Sequence, residues 1–215
     1  IVGEVIPGAL GIHHTLYVVP FVPHPSALGL FSALIAGAAF GLVGMLFADL
    51  THGLGRLFKR YIKHPPFRPL VGGIVVALAA TAIGGDKYLG LGIPTIVDAF
   101  QQPLPAYDFI GKLAFTVTTL AAGFKGGEVT PLFYIGATLG NALGYVLALP
   151  FPVLAGLGFV AVFAGAANTP IASTIMAMEL FGSEIGIYAG IACVVSYLFS
   201  GHTGIYRAQR IGQVK

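Results

Sequence analysis

The sequence predicts an all-α membrane protein whose helices are short, tilted and discontinuous. Three observations predict it. The 215 residues are 56% hydrophobic and only 9% charged, against about 25% charged in a typical soluble domain; mean hydropathy is +0.89. No Asp, Glu, Lys or Arg occurs between Val129 and Met178. Most apolar segments are shorter than the roughly 20 residues that a helical span takes, and glycines and prolines separate them. Interrupted half-length helices of this kind mark transporters with a binding site near the membrane midplane.

The elements follow in order. Ala27 to Ala48 is a full span, continued by an amphipathic extension to about Ile62. Its Gly37, Gly41 and Gly44 permit close helix contact, and Gly37 to Gly41 fits the small-xxx-small pattern. Leu70 to Ile83 is shorter and ends at the turn Gly84-Gly85-Asp86. Ile93 to Phe100 is a short, proline-led helix bounded by Pro103 and Pro105. Phe109 to Ala122 carries an internal Lys112. Pro131 to about Leu149 follows, and Pro150 and Pro152 are expected to stop it. Val153 to Ala166, Pro170 to Phe181 and Ile185 to Ser200 complete the helices. Thr130-Pro131 and Thr169-Pro170 each supply a capping hydroxyl followed by proline at the first helical position. Thr130 and Thr169 are therefore expected to cap their helices.

Length alone indicates one domain, residues 1–215. The first residues, Ile1-Val2-Gly3-Glu4, read as the tail of an apolar segment already under way. That suggests the C-terminal portion of a longer protein; the alternative is an N-terminus lacking only a few residues. A net charge of +3 with 11 basic residues argues against nucleic-acid binding. The single Cys193 excludes an intrachain disulfide, and no Cys/His cluster has zinc spacing. His13-His14 is adjacent rather than one helical turn apart, which disfavours a metal site. Enzymatic signatures are missing: there is no Gly-x-Ser-x-Gly elbow, His-Glu-x-x-His or phosphate-binding loop. Arg56, Lys59, Arg60, Lys63 and Arg68 cluster in one connection, and Arg207, Arg210 and Lys215 at the end. The positive-inside rule places both groups, and the C-terminus, on the cytoplasmic side of a plasma (inner) membrane. Binding of anionic membrane lipid is the other reading of the first group.

One stretch carries most of the functional information: Gly123-Phe124-Lys125-Gly126-Gly127-Glu128-Val129-Thr130-Pro131. Glycine-rich, irregular backbone at the mouth of an uncharged helix is how membrane proteins make an anion site. The helix N-terminus offers unpaired N–H groups and the positive end of its dipole. Glu128 is an ionisable group flanked by apolar sequence, and such groups are costly and usually functional; the alternative is a carboxylate that satisfies helix N–H groups. Thr130 is either a cap or an ion ligand. Lys125 is either a counter-charge to Glu128 or faces water. Tyr206 follows a glycine-rich turn and is either an ion ligand or an interfacial belt residue. Glu179 and Glu184 flank a Gly-Ser turn and read as exposed loop charges. Asn141 is an expected interhelical hydrogen bonder.

The run Gly126-Gly127-Glu128-Val129-Thr130-Pro131, with Gly136-Ala137-Thr138-Leu139-Gly140 after it, resembles the CLC chloride channel/transporter family. So do Ala164-Gly165-Ala166-Ala167-Asn168-Thr169-Pro170, Ala177-Met178-Glu179-Leu180 and Gly204-Ile205-Tyr206. The resemblance covers nearly the whole chain and implies the second of the family's two inverted repeats. Most chloride-type members carry Gly-x-Phe-x-Pro in the motif loop. Glu128 in Gly127-Glu128-Val129-Thr130-Pro131 departs from that form and resembles the fluoride/proton antiporter branch instead. The resemblance implies anion contacts at Val129, Thr130 and Tyr206, proton coupling at Glu128, and a loop shaped by Gly126, Gly127 and Pro131. It implies exchange of fluoride for protons, a homodimer, and no cofactor. A chloride-handling exchanger or channel, and a non-transporting membrane fragment or assembly half, are the alternatives. The external gating glutamate and the first-half selectivity loop would lie upstream, so the missing N-terminal half is expected to be required for transport.

Overall fold

The computed structural model describes residues 15–202, 204–206 and 209. Ile1 to Glu4, His13-His14, Arg207, Arg210 and Lys215 lie outside the described residues. Eight α-helices and no strands occur among them: α1 Ala27–Tyr61, α2 Phe67–Ile83, α3 Ile93–Gln101, α4 Asp108–Ala122, α5 Val129–Leu143, α6 Phe151–Ala167, α7 Pro170–Phe181 and α8 Gly186–Phe199. A 3-10 turn, Ser183–Ile185, joins the last two.

Helix α1 is the one helix among the described residues that is long and apolar enough to cross a membrane. Its 35 residues reach about 52 Å at 1.5 Å per residue. Ser26 starts it by accepting a hydrogen bond from the Gly29 amide at 3.1 Å, and Lys59 and Arg60 complement the dipole in its last turn. The small residues do what the sequence predicts. A side chain at Gly37 or Gly41 would run into the α8 backbone at Ala192 and Ser196, so the two helices pack almost backbone to backbone. Ser196 adds a buried bond from its Oγ to the Ala161 carbonyl of α6 at 2.6 Å.

Helix α6 is the centre of the molecule. It is apolar all round and buried along most of its length, the signature of a core helix. Its tightest neighbour is α5, where Gly136 meets Gly158 and Gly140 meets Leu154 with no room for a Cβ. The aromatic rings of Phe133 and Phe159 stack across the same crossing at 4.0 Å. Outward from this core, Leu28, Phe31, Leu70, Ile74, Leu78, Ile171, Ile187 and Leu198 are exposed. A surface this apolar suits lipid or another apolar surface rather than water.

Two polar clusters lock the short helices. Asn141 on α5 behaves as the sequence predicts. Its amide donates to the carbonyls of Ala99 and Gln102 at 2.8 Å, and its Oδ1 accepts from the Leu104 amide at 2.9 Å. It thereby satisfies the C-terminus of α3. At the start of α4, buried Asp108 accepts from Lys87 at 2.6 Å and from the Tyr88 hydroxyl at 2.9 Å. Burial and that carboxylate both raise the pKa of the Tyr88 hydroxyl. One turn on, Lys112 is 1% exposed. Its ammonium donates to the Tyr88 and Gly90 carbonyls at 3.1 and 2.7 Å and lies 5.1 Å from the centre of the Tyr134 ring. Lys112 thus holds the α2–α3 connection against the bundle.

Several boundaries differ from expectation. Helix α5 ends at Leu143, not near Leu149, because Gly144 turns the chain under Phe151 and residues 144–149 form successive turns. Pro152 does not stop that helix; it lies in the first turn of α6, where its missing N–H has no helical partner to lose. Glu179 lies within α7 rather than in a loop, although it and Glu184 are exposed as predicted.

Candidate anion and proton site

The motif loop hangs between two helix ends. Helix α4 closes at Gly123, whose φ of 101° lies in the left-handed region that glycine tolerates. The chain then runs without regular structure through Phe124, Lys125, Gly126 and Gly127, all exposed. Helix α5 begins at Val129, and its N-cap is Glu128, with no side-chain capping bond. Thr130 is therefore not the cap: the helix starts earlier than the Thr-Pro pair suggests. The first helical hydrogen bond runs from the Leu132 amide to the Glu128 carbonyl at 3.3 Å. Val129 and Thr130 occupy the first turn, where amides precede the helical ladder. Pro131, two residues into the helix, forfeits nothing. The matching pair Thr169-Pro170 does mark a helix start, but the Thr169 hydroxyl faces Ser173 at 3.4 Å instead of capping.

Glu128 lines a cavity of about 460 Å3. Helix α1 supplies Thr51, His52, Gly55 and Lys59 to its wall, and the motif loop supplies Lys125 and Gly126. One carboxyl oxygen of Glu128, Oε2, is buried and lacks a hydrogen-bond partner. Lys125 is exposed, as one of the two sequence readings has it. On the other side of the loop a second cavity, about 440 Å3, is lined by Gly126, Gly127, Pro131, Lys112 and Lys125. Neither lining contains an acidic residue other than Glu128. The loop accordingly separates two cavities of positive character, which favour anions.

The C-terminal segment comes to the first cavity from the far side. The Ile205 amide donates to the Ala166 carbonyl at 2.9 Å, and His52 Nε2 donates to the Gly204 carbonyl at 3.2 Å. Ile205 lines the cavity with Glu128. Tyr206 is 46% exposed and its ring is not part of the lining. Of residues 204–206, Ile205 alone shares the cavity lining with Glu128 and the motif loop.

Sequence reasoning missed His52 and read Lys59 only as one of a basic cluster. A signal was present: they stand seven residues apart, two helical turns, on one face of the amphipathic extension. Lys112 was noted only as an internal lysine; its partners, in the 88–90 turn, carry no motif.

The sequence profile of the family described as "Voltage gated chloride channel" matches residues 1–201. A "Chloride/fluoride channel protein" of Pseudomonas syringae pv. tomato is 56% identical over 221 residues, covering 100% of this chain and 49% of that protein. A "Voltage-gated ClC-type chloride channel ClcB" of Escherichia coli is 31% identical over 181 residues, or 76% of this chain and 42% of the relative. Among solved structures, the crystal structure of a CLC-type fluoride/proton antiporter superposes with a TM-score of 0.89 at 34% identity, covering 93% of this chain and 51% of the other. The chain spans about half the length of these relatives. The chain thus belongs to the voltage gated chloride channel (CLC) family of integral, multi-pass membrane proteins.

Proposed function

We propose that the chain carries one wall of the anion site of a CLC-type antiporter that exports fluoride in exchange for protons. The observation that carries this reading is Glu128, in a Gly-Gly-Glu-Val-Thr-Pro run at the start of α5, which lines a cavity that also holds Lys59 and Lys125 and keeps one buried carboxyl oxygen without a partner. Fluoride is small and a strong hydrogen-bond acceptor. The Val129 and Thr130 amides, the Thr130 hydroxyl and the Tyr206 phenol are compact donors suited to it. Gly126, Gly127 and Pro131 shape the loop that presents them. Export against a gradient needs an energy source, and Glu128 supplies a group that carries a proton in the opposite direction. A relative named a chloride/fluoride channel and a structural neighbour titled a fluoride/proton antiporter support the choice of ion.

A chloride-handling exchanger or channel is the second reading, favoured by the 31% identical relative named a chloride channel. Efflux of fluoride and chloride from liposomes holding the full-length protein separates the two. Fluoride is expected to leave much faster, and equal rates end the fluoride claim. The 215 residues alone are expected not to transport, because they span about half the length of these relatives; proton-coupled fluoride flux from this chain by itself ends that idea, while a silent chain inside a folded membrane assembly supports the fragment reading. Homodimerisation through α7 and α8, residence in the plasma (inner) membrane and a cytoplasmic C-terminus complete the proposal.

A further inference from the structure

We propose that the last turns of α1, with the loop that follows, form a binding surface for an anionic phospholipid of the adjoining membrane leaflet. Arg56, Arg60 and Lys63 hold the headgroup phosphate, and Leu57 and Tyr61 lie along the acyl chains. The inference stands on the chain being a membrane protein and not on which ion it moves.

The uncharged part of α1, Ala27 to Ala48, covers about 33 Å at 1.5 Å per residue, close to the roughly 30 Å of a hydrocarbon core. The charged remainder of the helix therefore leaves that core where headgroups begin. On it, Arg56, Lys59 and Arg60 are spaced three and four residues apart, so they share one face, and all are exposed. Leu57 and Tyr61, also exposed, lie roughly a third of a turn round the helix from Arg56 at about 100° per residue. They continue an exposed apolar ridge that begins with Leu42, Leu46 and Leu50. A basic stripe beside an apolar one matches a phosphate headgroup and the chains attached to it.

The charge on this stripe is not balanced nearby. Among the described residues Arg56, Lys59, Arg60 and Lys63 make no ion pair. Asp49 is the last acidic residue before them in the sequence and Asp86 the first after them. Such a patch attracts phosphate. The planar fork of arginine matches two phosphate oxygens, and lysine adds a mobile point charge. The surface is also held in shape. Arg68 donates from Nε to the Ile62 carbonyl at 2.9 Å and from Nη2 to the Lys63 carbonyl at 3.4 Å. It thereby ties the start of α2 to the backbone that carries Lys63, and serves the loop rather than the headgroup. Lys59 belongs to the stripe and also lines the Glu128 cavity, so a bound headgroup borders the wall of that cavity.

The test uses the full-length protein in detergent, titrated with phosphatidylglycerol or phosphatidylcholine, with bound lipid counted by native mass spectrometry. Phosphatidylglycerol is expected to bind roughly fivefold more tightly or better. Arg56→Gln, Arg60→Gln and Lys63→Gln together are expected to weaken its binding roughly tenfold or more, to the level of phosphatidylcholine, with no change in melting temperature. Lys59 stays in place because it also lines the cavity. Leu57→Ser with Tyr61→Ser is expected to weaken phosphatidylglycerol binding although every charge remains. Millimolar inorganic phosphate is expected not to displace the lipid. Equal binding of the two lipids, unchanged phosphatidylglycerol binding in either combined variant, or displacement by inorganic phosphate, which marks a site for soluble anions, each overturn the proposal. Should the triple variant fail to fold, Arg60→Gln alone decides: a loss of about threefold supports the surface, and no loss overturns it.

Discussion

The His52 ring donates to the Gly204 carbonyl across 152 residues of chain at 3.2 Å. That bond, with the Ile205 amide on the Ala166 carbonyl at 2.9 Å, ties the Tyr206 segment to α1 and to the buried helix α6. An exposed phenol is thus carried on an anchored backbone. If Tyr206 contributes one hydrogen bond to a bound fluoride, its loss costs about 1.5–3 kcal/mol, as for hydrogen bonds to charged groups. Tyr206→Phe is expected to weaken fluoride binding by roughly tenfold or more with no change in melting temperature. Calorimetry in detergent checks it, and unchanged affinity removes Tyr206 from the site.

Glu128→Gln keeps the size of the side chain and removes its titration. Fluoride movement down its own gradient is expected to continue while protons cease to move with it. The check is the ratio of the two fluxes in liposomes; an unaltered ratio takes proton coupling away from Glu128.

The buried side chain of Asn141 makes three hydrogen bonds to backbone at the end of α3. Asn141→Ala leaves those backbone groups without partners, at about 1–3 kcal/mol for each group stranded. A clear drop in melting temperature is expected in detergent. Asn141→Asp is expected to be worse, since a carboxylate would face two carbonyl oxygens. A wild-type melting curve for either variant contradicts the bonding pattern.

Two glycines on either side of the α5 start have opposite tolerances. A Cβ at Gly140 would collide with the Leu154 carbonyl of α6, whereas one at Gly126 meets no atom within 4 Å. Gly140→Ala is expected to disrupt the α5–α6 crossing and give little monodisperse protein by size exclusion. Gly126→Ala is expected to fold normally. The reverse ranking would show that α5 and α6 do not cross at this point.

Most of the helical framework was legible in the sequence. The limits of α1, α3 and α7 come within about three residues of expectation, because glycines, prolines and apolar run lengths act locally. The limits that slipped were those where one local signal had two uses. Pro152 can stop a helix or open the next, and only the close turn at Gly144 decides between them. Thr130-Pro131 has the look of a cap and first turn, yet the helix begins at Val129. Proline in any of the first-turn positions sacrifices no helical hydrogen bond, so the sequence alone cannot tell which of those positions it fills.

What the sequence determined by itself is an uncharged, interrupted helical bundle with a glycine-rich loop and a carboxyl group at the mouth of a helix. Composition and local backbone preference suffice for that, since each acts over a few neighbouring residues. Only the tertiary structure decided what shares the space around Glu128: His52 and Lys59 from α1, Ile205 from the C-terminal segment, and Lys112 across the loop. These groups are separated by tens to more than a hundred residues, and their meeting depends on how α1, α5 and α6 cross. Those crossings are set by where glycine lets one backbone approach another, a property of pairs of surfaces that no single segment displays.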